Sequence, residues 1–186
     1  MTPHPASGVA TCTDAVVAGI GSRYRHDDGV GEVVGELAAR LFGVRDVGPI
    51  SDPLELLGRW DGAELAVVVD AVRSGSEPGT VRVADLTGTV LDELSQAANP
   101  CRGGPPVHHA PRGPGTTSSH GIDVLGVLRL ARAIGSAPTR VVLVGVEGAD
   151  FSRGEGLTAR VAAAVPLAVD QVRRLVQEVR EACPCA

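Results

Sequence analysis

The sequence predicts an α/β protein: a single-domain, twisted, mostly parallel β-sheet with helices on both faces. Three observations predict it. Short continuous apolar runs at Ala15–Ile20, 65–69 and 140–146 have the character of strands buried on both faces. Segments with apolar residues at helical spacing alternate with them, the pattern of a layered sheet. The chain has 186 residues, 44% of them apolar but only 2% aromatic, so its core is built from Val, Leu, Ile and Ala.

The elements follow in order. Residues 1–13 read as a loose tail. After the first strand comes a glycine-containing loop, 21–28, and then Val30, Val33, Val34, Leu37, Ala38 and Leu41 at helical spacing, with Gly43 as the stop. The second apolar strand, 65–69, is closed by Asp70. Residues 79–86 alternate partly, Val81 and Val83 on one face and Arg82 on the other, as an exposed strand would. The stretch 95–119 holds Pro, Gly and two adjacent histidines without periodicity; a segment of this kind is usually functional or disordered. A helix is expected from Ser119, whose hydroxyl can cap it. Asp123 stands in its first turn, and Val124, Leu125, Leu128 and Ala131 form its buried stripe. The third strong strand is 140–146. The last helix carries Val161, Val165, Ala168, Val172, Leu175, Val176 and Val179, and Pro166 within it is expected to kink it. With no internal repeat and no dividing linker, the expectation is one domain over 14–182 between an N-terminal tail, 1–13, and a C-terminal tail, 183–186.

Charge excludes several classes of function. Lys plus Arg number 17 against 22 Asp plus Glu, a net charge of −5. Such a chain has no general attraction for nucleic acid or anionic lipid, leaving room only for a local basic patch. Two Phe, one Tyr and one Trp do not make a base-stacking platform. No apolar run reaches the roughly 20 residues needed to span a bilayer, and the first 13 residues lack a secretory pattern. A cytoplasmic location with reduced thiols is therefore expected. Cys12, Cys101, Cys183 and Cys185 do not have zinc-finger spacing. Cys183 and Cys185 form either a chelating or redox pair or, as the simpler reading, two spare thiols on a terminal tail. Low aromatic content offers no self-association patch, so a monomer is expected.

Ligands of open α/β sheets bind beyond the carboxyl ends of the strands. Asp28, Asp70 and His120 fall there. Two carboxylates and an imidazole make a mixed oxygen and nitrogen set for a divalent transition metal with positions left open for substrate. Each also has a plainer reading: Asp27 or Asp28 as a carboxylate favouring a helix N-terminus, Asp70 as a turn cap, His120 as a surface residue. His108 and His109 with Cys101 form a second, softer candidate metal set, against the simpler reading of a solvated loop. The run Gly19-Ile20-Gly21 invites a dinucleotide reading, but the third glycine of that fingerprint would stand at Tyr24. No phosphate-loop Gly-Lys-Ser/Thr and no Gly-x-Ser-x-Gly elbow occurs.

The run from Gly19 to Gly31, Gly-Ile-Gly-Ser-Arg-Tyr-Arg-His-Asp-Asp-Gly-Val-Gly, resembles the opening motif of the hydrogenase maturation endopeptidases. The order of the remaining motifs agrees: Val68-Val69-Asp70-Ala71, Pro78-Gly79-Thr80, Ser119-His120-Gly121, Leu143-Val144-Gly145-Val146-Glu147, Gly156-Leu157-Thr158 and a proline in the last helix. The resemblance covers roughly residues 15–180. It implies an endopeptidase that removes a C-terminal extension from the large-subunit precursor of a nickel–iron hydrogenase after nickel insertion. Carried over by position, it makes Asp28, Asp70 and His120 both the metal ligands and the catalytic set. The chain departs from the family pattern at Ser22, where Asn is usual. At 47–52 the family commonly has an Asp-Gly; here Asp46 or Asp52 takes that part, or the part is absent.

The resemblance further implies that the nickel is carried by the substrate, on the precursor's own cysteines, and serves as the recognition element. The metal would polarise the scissile carbonyl or lower the pKa of the attacking water, with Asp28 or Asp70 alternatively taking a proton as general base. Water attack needs no covalent intermediate, so no nucleophile is assigned to Cys12, Cys101 or any serine. Arg23 and Arg25 either meet an acidic feature of the precursor or are solvated loop residues. Two other functions compete: a non-catalytic nickel-binding or precursor-holding chaperone on the same fold, which would bind without turnover, and a small-molecule α/β binding module.

Overall fold

A computed structural model of the chain describes residues 14–88 and 124–182. Its strands are β1 (Ala15–Ile20), β2 (Arg45–Ile50), β3 (Leu65–Val72), β4 (Val81–Asp85) and β5 (Arg140–Glu147). They form one sheet in the order β2-β1-β3-β5-β4. All neighbours are parallel except β4, which runs antiparallel to β5. The mostly parallel α/β sheet expected from the apolar runs is what the chain forms.

The apolar runs became the central strands because both of their faces are covered. Val17, Leu65, Val67, Val69, Val142 and Val144 point into one core layer. That layer is closed by α1 (Val30–Phe42) and α4 (Ala159–Ala182). Val16, Ala18, Ile20, Ala66, Val68 and Val141 point into the other, with Leu56, Trp60 and a stripe of the helix Val124–Ile134. Here α2 is Leu56–Arg59 and α3 is Val124–Ile134. The stripe of α3 is Val124, Val127, Leu128 and Ala131, with Leu125 only partly buried. Gly43 ends α1 in the left-handed conformation, its amide bonded to Ala39 O.

Two details differ from the sequence reading. Strand β2 was not among the expected strands: Arg-Asp-Val-Gly-Pro-Ile has no apolar run and lies at the sheet edge, where Pro is tolerated. Strand β3 continues two residues past Asp70, to Val72, because β5 pairs with it through Glu147. Helix α4 runs unbroken from Ala159 to Ala182 with Pro166 inside it. No helix of the described residues is long and apolar enough to cross a membrane. Both tails, the 95–119 stretch with Cys101, His108 and His109, and the helix start at Ser119 and His120 lie outside the described residues.

Candidate active site

The first turn of α1 is pressed against the carboxyl ends of β1 and β3 by glycine. A Cβ on Gly31 would stand 2.4 Å from Ile20 O and 2.5 Å from Val69 O, and a Cβ on Gly19 would stand 2.2 Å from Gly31 O. The close helix-to-strand packing that a dinucleotide fingerprint assigns to its third glycine is thus made here by Gly31. Gly21 adopts φ 118° and passes the turn His26–Gly29 so closely that a Cβ would lie 1.9 Å from Asp28 O. A side chain at position 21 would meet both penalties at once.

That glycine-lined corner sets the Asp28 side chain. Asp28 is buried, and its Oδ2 accepts the Ser22 amide at 3.0 Å. The position after Gly21 therefore contributes its backbone, which Ser supplies as well as Asn. From β3, Asp70 comes close enough to Asp28 for their charges to interact. Burial, with the like charge of Asp28 added, pushes the Asp70 carboxyl up from 3.8 to about 8. So the structure brings together two of the three residues singled out in the sequence. The third, His120, lies outside the described residues, and among those described no group of three His, Cys, Asp or Glu is arranged to hold a metal.

Two further buried carboxylates, neither of them in the site read from the sequence, hold the surrounding loops. Asp27 is fully buried and accepts the amides of Ala149 (2.8 Å), Asp150 (2.9 Å) and Thr158 (2.7 Å), together with the Thr158 hydroxyl at 3.0 Å. Although burial opposes it, these donors hold its carboxyl below the usual range. Glu147, at the end of β5, accepts the Ser74 amide and hydroxyl, both at 2.7 Å, and the Gly75 amide at 2.9 Å. Each carboxylate pins a loop at the carboxyl edge of the sheet. Their sequence signal was thin, since both partners lie far along the chain.

The remaining candidates have local partners. The Arg23 guanidinium pairs with Glu32 and reaches Glu36 of α1, so it braces the helix. Asp46 accepts the Gly48 amide at 2.8 Å, and Asp52 caps the short helical turn Pro53–Glu55 through the Leu54 amide at 2.9 Å.

The architecture matches solved structures. The chain superposes on the hydrogenase maturating endopeptidase HybD from E. coli with a TM-score of 0.63 and 21% identity, over 88% of this chain and 92% of that one. The hydrogenase 2 maturation peptidase from Thaumarchaeota archaeon SCGC_AB-539-E09 gives 0.60 and 24%, over 87% and 96%. The [NiFe] hydrogenase maturation protease HycI from Thermococcus kodakarensis KOD1 gives 0.57 and 20%, over 91% and 93%. The chain has the hydrogenase maturation endopeptidase fold. No protein-family model matches the sequence, and no curated protein matches it either. In this fold Asp28 stands at the first strand-to-helix junction and Asp70 near the end of the neighbouring strand β3.

Proposed function

We propose that the chain is an endopeptidase that removes a C-terminal extension from the large-subunit precursor of a nickel–iron hydrogenase, and that it acts after nickel insertion. The observation that carries this reading is the Asp28–Asp70 pair. Two acidic side chains lie within electrostatic reach of each other at the carboxyl edge of a sheet whose architecture is that of maturation endopeptidases. Holding two carboxylates together is unfavourable in isolation, and a cation between them relieves the repulsion. Both offer hard oxygen donors, and His120 would add a nitrogen.

The nickel is substrate cargo on the precursor's cysteines; it supplies Lewis acidity at the bond to be cut. The chain's part is to grip and orient. Asp28, fixed by the Ser22 amide, presents one oxygen ligand, and Asp70 presents a second on giving up its proton to the cation's field. Water adds to the scissile carbonyl carbon and passes a proton to a carboxylate. The C–N bond then breaks and the departing amine takes up a proton, so the enzyme is regenerated without a covalent intermediate.

The test is cleavage of nickel-loaded precursor by the wild type and by Asp28→Asn and Asp70→Asn. Each substitution keeps the shape and removes the negative charge, and a loss of at least about a hundredfold in kcat/KM is expected for each. Stoichiometric binding with no peptide released would instead favour the precursor-holding chaperone.

A further inference from the structure

Beside the acidic pair, the 22–26 loop and the 150–156 loop are joined edge to edge. Arg25 and Gly154 form a parallel bridge. The His26 amide donates to Gly154 O and the Gly154 amide to Tyr24 O, both at 2.9 Å. His26 Nδ1 lies 3.1 Å from Gly156 O. These contacts hold His26 at φ 48°, the one positive value among described residues other than glycine. From below, Asp27 fixes the same loop.

Where the loops meet there is an open groove of about 820 Å³, lined by Tyr24, Arg25, Phe151, Arg153 and Glu155 among others. Tyr24 is 63% exposed, a large ring with nothing packed over most of it. The Arg73 guanidinium stands 4.4 Å from the Phe151 ring centroid. In a chain of net charge −5, this edge gathers Arg25, Arg73 and Arg153. Glu155 is the acid lining the groove. The neighbouring Asp150 carboxylate accepts the Ser152 amide at 2.8 Å and lies 4.0 Å from His26 Nε2.

We propose that this groove docks an extended, acidic segment of the protein substrate next to the bond that is cut. Guanidinium groups match carboxylates in geometry and charge, and the two rings take up the apolar parts of the same segment. An open groove suits a segment of a larger chain better than a small molecule, which an enclosed cavity would bury. The Asp28 amide donates to Arg25 O at 3.1 Å, so one turn carries both the groove wall and a carboxylate of the candidate site. A segment lying in the groove is thereby delivered to the acidic pair. The inference rests on the proposed endopeptidase reading.

The experiment is steady-state cleavage of nickel-loaded large-subunit precursor by the wild type, Arg153→Glu and Phe151→Ala, with thermal melts of each protein. Arg153 is exposed, so Arg153→Glu is expected to melt with the wild type and keeps the test informative if Phe151→Ala fails to fold. The expected result is a KM raised about tenfold by Arg153→Glu with kcat within about twofold of wild type. The wild-type KM is also expected to rise with salt and the Arg153→Glu value to rise less. An unchanged KM in Arg153→Glu, or a loss confined to kcat, overturns the groove while cleavage by the wild type leaves the endopeptidase reading standing. A wild type that neither cuts nor binds the precursor overturns both.

Discussion

Asp27 and Thr158 are 131 residues apart in sequence, yet the Asp27 carboxylate accepts both the Thr158 amide, at 2.7 Å, and its hydroxyl, at 3.0 Å. The same carboxylate takes the Ala149 and Asp150 amides, so one buried side chain fastens the β5–α4 loop to the turn that carries Asp28. Asp27→Asn turns one acceptor into a donor that faces backbone N–H groups. A loss of about 2–3 kcal/mol at neutral pH is expected in urea denaturation. Because the carboxyl of Asp27 is held below its unfolded value of 3.8, its contribution is complete above that value and is lost as pH falls through the folded pKa. The wild type is therefore expected to weaken in acid more steeply than Asp27→Asn, and identical acid profiles would contradict the assignment.

Asp70 behaves in the opposite sense. Its folded pKa of about 8 lies above the unfolded value of 3.8. Between those values the folded chain keeps a proton that the unfolded chain has released, so this residue makes stability fall as pH rises. Asp70→Asn removes the slope. Denaturation at pH 5 and pH 8 is expected to show the variant gaining on the wild type at the higher pH, and a constant difference between the two would exclude the strained pair.

Gly31 and Gly58 test the packing of the corner. Gly31→Ala puts a methyl group within 2.8 Å of three backbone atoms of β1 and β3 and is expected to cost about 3 kcal/mol or more. Gly58→Ala, on the exposed face of α2 with no atom within 4 Å, is expected to stabilise by about 0.5–1 kcal/mol. Thermal melts of the pair distinguish crowding from a general intolerance of substitution.

Burial and periodicity governed what could be read from the sequence. Strands β1, β3 and β5 were legible because burial on both faces writes itself as a continuous apolar run. Strand β2 was not, since an edge strand with Gly48 and Pro49 carries no such signature. Asp28 and Asp70 could be placed at one sheet edge from the order of elements, but their mutual approach depends on Gly21 and Gly31, whose contacts are tertiary. Asp27 looked like an ordinary helix-start carboxylate because its donors lie in a loop more than a hundred residues on. Arg23 looked available to a partner, but Glu32 in the first turn of α1 holds it.

Intact-mass spectrometry reads out whether the acidic pair serves nickel-dependent cleavage. A nickel-loaded large-subunit precursor from the same organism would be mixed with catalytic amounts of this protein. Nickel-free precursor and the Asp70→Asn and His120→Ala variants serve as controls. Loss of a C-terminal peptide is expected only with nickel, only with the wild-type acids and only with His120. A precursor mass unchanged by the wild type, or a peptide lost equally from nickel-free precursor, would contradict that role of the pair.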